Sequence, residues 1–153
     1  MTDRVYQDAD ILGSAQIKTS PDLSISGLPR SDTALEVLTG IVGAEDAVAV
    51  TPSFGGVAET GSLMLRSGAD TPYTVNMLPD THIVVLKAGD IVGIYEEVWA
   101  RLREQEGNGN MPRTFLWVAG PSRTGDIEQT IQLGTHGSRS LHIVLVDDTK
   151  ENA

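Results

Sequence analysis

Cysteine is absent from this 153-residue chain. The chain therefore forms no disulfide, carries no thiol nucleophile and cannot by itself ligate an iron–sulfur cluster. Positive charge is scarce: 11 Lys and Arg stand against 21 Asp and Glu, a formal net charge of −10. Nucleic acid and anionic membrane surfaces both require clustered cations, so neither is expected as a partner. No apolar run approaches the roughly 20 residues that a bilayer-spanning helix needs. The chain also opens without the apolar core of a signal peptide, so the expected compartment is the cytoplasm, with no membrane insertion. The three histidines show no HxxxH, HExxH or HxH spacing, and no metal site is expected. GxSxG and Walker-type GxxxxGK[ST] motifs are missing, which leaves a hydrolase triad and a P-loop unsupported.

What is present is ordinary globular composition, 40% hydrophobic and 21% charged, in a length that suits one domain. Residues 1–33 are polar and turn-rich, with Ile11-Leu12 and a weak alternation at Leu23, Ile25 and Leu28. They read as an extended or partly ordered arm. An α/β domain is expected over residues 34–148, followed by a short tail at 149–153. Leu35–Leu38, Ala47–Val50 and Ser62–Leu65 are short strand candidates, with Gly55-Gly56 breaking the chain between the last two. Gly68–Pro79 reads as a loop. The β-branched run His82–Lys87 suits a buried strand.

Residues 90–106 predict a helix with Asp90 as N-cap, an apolar stripe at Ile91, Ile94, Tyr95, Val98 and Leu102, and a Glu97–Arg101 pair on the other side. Gly107 ends it. A second helix is predicted at about Asp126–Leu133, closed by Gly134. Apolar strands at 83–87, 115–119 and 141–146 separated by helices argue for a mixed, mostly parallel sheet with flanking helices. The earlier strands, without helices between them, are expected to pair as a meander or hairpin.

Two loops carry candidate chemistry. Gly120, Ser122, Arg123 and Thr124 lie between a predicted strand and a predicted helix. Free N–H groups there, together with a guanidinium, favour an anionic ligand. The simpler alternative is a capped helix with Arg123 paired on the surface. His136, between Gly134 and Gly137, is the histidine best placed to act as a polar wall or acid/base. The turn at Glu59, Thr60 and Gly61 offers a carboxylate that acts as base or nucleophile if it faces a dry pocket. Its plainer reading is a turn in which Gly61 supplies a backbone angle and Glu59 is solvated. Trp99 and Trp117 read as core, and His82 and His142 as packed strand residues.

These blocks resemble one family. Val57–Leu63, Leu78–Val85, Gly120–Glu128, Leu133–Gly137 and Leu141–Val146 are similar, in order, to the lactate-utilisation C proteins of the LUD-domain family. The resemblance covers residues 47–148. It implies a fold related to the NagB, ribose-5-phosphate isomerase and CoA-transferase group. It also implies a role in oxidising L-lactate to pyruvate beside two iron–sulfur partner proteins, on which any cluster would sit; no cofactor is expected on this chain. Family members carry a further α/β portion before the first block, which residues 1–46 are too short to supply. The resemblance thus implies a fold truncated at the N-terminus, and a homo-oligomer covering the exposed sheet.

Three functions follow as expectations. The first is an accessory, ligand-binding component of a lactate-utilisation system. The second is a stand-alone isomerase or acyl/CoA transferase using Glu59. The third is a structural assembly domain.

Overall fold

Two uninterrupted apolar runs organise the molecule. Val48–Pro52 (β3) and Thr81–Lys87 (β6) are buried along nearly their whole length, as strands covered on both faces must be. In the computed structural model, which describes residues 16–21, 36–40, 42–43, 46–107, 109–125 and 130–147, they lie side by side and parallel. Gln16–Thr19 (β1), Glu36–Thr39 (β2) and Ser140–Val146 (β11) complete a five-stranded sheet in the order β11-β6-β3-β1-β2, every pair parallel.

The stretch expected as an N-terminal arm thus supplies an interior strand, β1, with Ile17 buried at its centre. Ile11, Leu12, Leu23, Ile25 and Leu28 lie outside the described residues. Of the meander or hairpin expected among the early strands, β2 and β3 instead flank β1 in parallel, while an antiparallel hairpin does form just before residue 66.

A second sheet packs on the first. Gly55–Val57 (β4) and Ser62–Arg66 (β5) form an antiparallel hairpin. Ile91–Val92 (β7) runs parallel to β4. Phe115–Val118 (β8) runs antiparallel to β5. The apolar strand expected at 115–119 therefore does not join the parallel sheet. Gly55-Gly56 do not break the chain either; they are buried inside β4. A Cβ on Gly55 would stand 2.9 Å from the Asp90 carbonyl oxygen, and one on Gly56 3.2 Å from Leu86. Only glycine lets β4 approach so closely.

The layers follow from alternation along the strands. Val84 and Leu86 of β6 meet Leu63 and Leu65 of β5, with Leu116, Val118 and Leu141 against them. The opposite face of the parallel sheet gathers Ile17, Val48, Val50, Ile83, Val85 and Val144. Burying each such side chain contributes about 1.5–3 kcal/mol. Beyond the second sheet, Val57 and Met64 pack on Val98 of a long helix, with Phe54, Tyr95, Phe115 and Trp117 around them. Trp99 joins that cluster through Phe115 and Trp117, with ring centroids 5.4 Å apart in each case.

That helix, α2, spans Tyr95–Glu106, and α1 is the short Tyr73–Met77. The Gly68–Pro79 loop thus contains one helical turn, started by Pro72 and anchored by buried Val75 and Asn76. α2 starts five residues later than predicted, after a 3-10 turn at Ala88–Asp90 and strand β7. Asp90 does not cap it. The Glu97 carboxylate accepts the N–H groups of Gly93 (2.7 Å) and Ile94 (3.2 Å), which satisfies orphan donors ahead of the first turn. Glu97 therefore does not pair with Arg101; Arg101 meets Asp90 at 2.7 Å. Val98 and Leu102 are buried as predicted, whereas Ile91 and Ile94 are exposed. Gly107 closes the helix in the left-handed region, its N–H on the Arg103 carbonyl. No helix among the described residues is long and apolar enough to cross a membrane.

Candidate functional site

Among the described residues, a strand pairing and a set of hydrogen bonds organise the 120–138 segment. Arg123–Thr124 (β9) and Gln132–Leu133 (β10) form a small antiparallel pair, Arg123 opposite Leu133. Residues 126–129 lie outside the described set. Gln132 and Leu133 are strand rather than helix, and Ile131 and Leu133 are exposed rather than packed. Arg123 and Thr124 are held by this strand pairing.

Ser122 fixes the loop instead. Its N–H donates to the Ser138 carbonyl (2.8 Å), its own carbonyl accepts from Gly134 (3.1 Å), and its hydroxyl oxygen accepts the His136 N–H (3.1 Å). These three bonds staple residues 134–138 against 120–123. Gly137, at φ +149°, allows the backbone turn that brings the two loops together.

A cavity of about 280 Å³ opens beside this staple. Gly120, Ser122, Arg123 and His136 all line it, as do Gly137 and Ser138. The walls are Met77 from α1, Leu116–Ala119 from β8 and beyond, and Leu141 from β11. Asn76 and His82 are the remaining lining residues. The two sequence candidates from separate loops, Arg123 and His136, thus share one concavity. Among the described residues Arg123 has no carboxylate within ion-pair distance. Among the described residues no Asp or Glu lines the cavity.

The position of the cavity was not anticipated. Ligands of open parallel sheets sit at the carboxyl ends of strands. Here His82 and Leu141 belong to the amino ends of β6 and β11. The 120–124 loop reaches that end because β8, which precedes it, belongs to the other sheet.

His82 and Ser138 did not figure among the sequence candidates. His82 is buried, and Thr51 Oγ1 lies 2.7 Å from its Nε2. Burial lowers its pKa to about 4, so the imidazole is neutral near pH 7. Ser138 is buried too, and its hydroxyl finds no hydrogen-bond partner among the described residues. Leaving such a group unmet costs about 1–3 kcal/mol. The signal available for His82 was a polar residue opening an otherwise apolar strand; Ser138 offered none.

Glu59, Thr60 and Gly61 stand elsewhere. They form the exposed turn between β4 and β5, with Gly61 at φ +64° and the Glu59 N–H on the Gly93 carbonyl. None of the three lines the cavity. Thr60 donates to Ser62 (2.9 Å), and Ser62 lies 3.3 Å from the Tyr95 hydroxyl. Those contacts, Ser62 first and Thr60 second, hold the phenol below its ordinary pKa against opposing effects of burial and Glu59. A larger concavity of about 610 Å³ is lined by Ser67, Gly68, Pro72, Tyr73, Arg113 and Thr114. It contains none of the sequence candidates.

Comparison with known proteins sets this geometry in a family. The LUD domain model matches residues 31–146. Lactate utilization protein C of Deinococcus radiodurans is 33% identical over 140 residues, which is 88% of this chain and 56% of that protein. Lactate utilization protein C of Bacillus subtilis is 33% identical over 93 residues, 60% of this chain and 39% of that protein. The chain thus spans about two-fifths to just over half the length of the curated relatives it matches. The crystal structure of a DUF162 family protein from Deinococcus radiodurans shares the fold. Its TM-score is 0.59 at 23% identity, over 92% of this chain and 80% of that one. The α/β architecture built on a parallel sheet and the match over most of its length lead to one conclusion: the chain belongs to the LUD domain family.

Proposed function

We propose that this protein is an accessory, ligand-binding component of a lactate-utilisation system, and that the cavity beside Ser122 holds a small anion. One observation carries the reading. In a chain of net charge −10, the described residues lining the cavity bring a guanidinium, two imidazoles and hydroxyls, and no carboxylate among them. A local positive site is what an acidic protein needs to attract an acid. Arg123 provides a charge-assisted, planar contact. Ser122 keeps a hydroxyl proton to donate while its oxygen accepts from His136. The lactate-utilisation context comes from the names of the relatives.

Iron–sulfur proteins of the same system are the partners proposed, with the clusters on their side, and the cytoplasm is the compartment. Self-association is proposed at the edge strand β11, where Ile143 and Leu145 are 50% and 59% exposed. A monomer at all concentrations in sedimentation would remove that part.

Calorimetric titration of wild type and Arg123→Ala with L-lactate, pyruvate, sugar phosphates and CoA esters tests the anion site. The variant is expected to bind the true ligand class at least about tenfold more weakly. Equal affinity in the variant contradicts the role given to Arg123.

A further inference from the structure

β8 is the last strand of its sheet: among the described residues no strand pairs with its outer edge. The backbone groups on that edge can be named. Met64 stands opposite Trp117 in the β5–β8 pair, and the Met64 carbonyl accepts the Phe54 N–H (2.8 Å) on the β4 side. A strand residue points its N–H and C=O the same way, so Met64 turns both towards β4. Trp117 is then in a pair of the non-hydrogen-bonded kind and turns its own N–H and C=O outward. Thr114 fits the alternation, since its carbonyl accepts the Ser67 N–H (3.0 Å) on the β5 side.

That edge opens on the cavity beside Ser122. Four consecutive residues, Leu116–Ala119, line the cavity. Neighbouring side chains of a strand point to opposite faces, so a space that all four reach runs along the edge, where the backbone is. Backbone groups turned away from their own sheet need water or another chain, and a free edge is a template for a further strand. Arg123 borders the same space, with no carboxylate in ion-pair distance among the described residues.

We propose that this cavity receives the C-terminus of a partner polypeptide. The last residues of the partner add as a short strand to the outer edge of β8, on the N–H and C=O of Trp117, and its terminal carboxylate pairs with Arg123. Strand addition and capture of a terminal carboxylate are both recurring modes of peptide recognition, and here the groups for both border one space. Met77 and Leu141 give the final side chain an apolar wall. A volume of about 280 Å³ suits the end of a chain rather than a long segment; two residues of strand span ~7 Å. The inference rests on the anion site proposed above and names the molecule that carries the acid.

The test uses the full chain and four N-acetylated tetrapeptides ending in alanine, valine, leucine or phenylalanine. Each is supplied as the free acid and as the C-terminal amide, with acetate and L-lactate alongside. Calorimetry on wild type and Arg123→Gln reads affinity, and hydrogen exchange followed by NMR reads the Trp117 N–H. At least one free-acid peptide is expected to bind wild type about tenfold more tightly than acetate, L-lactate or its own amide. Arg123→Gln should bring acid and amide within about twofold of each other. The bound peptide should slow exchange at the Trp117 N–H about tenfold, and acetate should leave it unchanged.

Acetate or L-lactate bound at least as tightly as every peptide overturns the inference while leaving the anion site standing. A free acid that binds no better than its amide removes Arg123 from recognition, and the terminal-carboxylate assignment falls together with the anion site. Tight peptide binding without protection of Trp117 overturns the strand addition. No binding by any probe overturns both readings.

Discussion

Thr51 and His82 face one another from adjacent parallel strands, with the threonine hydroxyl 2.7 Å from Nε2 of the imidazole. Both residues are buried between apolar neighbours. Burial of this site sets the protonation state of His82. A charged imidazole there would lose water without gaining a carboxylate, so the neutral form wins.

That choice couples stability to pH. Burial lowers the folded-state pKa of His82 from 6.5 to about 4. The unfolded chain therefore binds this proton first, and stability falls as pH drops below 6.5. The loss levels off near the folded value. For a shift of that size the full loss is about 3 kcal/mol. Urea unfolding at several pH values between 7.5 and 4 measures it, with His82→Asn as reference. The wild type should lose more stability on acidification than the variant; equal slopes would mean that His82 is solvated in the folded state.

Gly55 of β4 lies against the connection before α2. An added methyl would meet the Asp90 carbonyl at 2.9 Å, next to the Asp90–Arg101 ion pair. Backbone at that position cannot yield as a flexible side chain would. Gly55→Ala is expected to destabilise by about 1–3 kcal/mol, read from chemical denaturation. Gly61→Ala is a useful contrast: nothing stands within 4 Å of its Cβ, so any cost comes from its φ of +64° alone. A Gly55→Ala protein as stable as wild type would show that β4 does not pack as described.

Glu59 provides the test between binding and chemistry. It is exposed in the β4–β5 turn, apart from the cavity, whereas a general base works best in a dry pocket. Glu59→Gln should bind small acids as wild type does and shift stability by no more than about 0.5 kcal/mol. Any isomerase or acyl-transfer turnover abolished by that substitution would restore the enzymatic reading.

Legibility followed chemistry that leaves a local mark. The run Ile83–Leu86 announced a buried strand because β-branched and aliphatic residues in sequence leave little else to form. β1 left no such mark: Gln16–Thr19 has one aliphatic residue, and Lys18 is tied down by Asp46 at 3.4 Å. β8 misled for a physical reason. Leu116 and Val118 face the parallel sheet, while Phe115 and Trp117 face the layer of α2. A strand buried on both sides reads the same in either sheet, so its neighbours cannot be inferred from its own residues. In the site, Arg123 and His136 stood out because glycine-bounded loops hold them, and the fold brings both to one cavity. The end of the helix expected behind Arg123, Gln132–Leu133, is instead a strand paired with Arg123–Thr124. Ser138 was invisible, since only burial and an unmet hydroxyl distinguish it from any loop serine.

The central claim is that the cavity beside Ser122 is where a small acid binds. Titration of the ¹⁵N-labelled protein with L-lactate and pyruvate, followed amide by amide in NMR spectra, tests it most directly. The account predicts the largest saturable shifts at Ser122, Arg123, His136, Gly137 and Ser138. Shifts confined to the Ala58–Gly61 turn or to the concavity at Ser67, Tyr73 and Arg113, or no shift at any concentration of either acid, would contradict it.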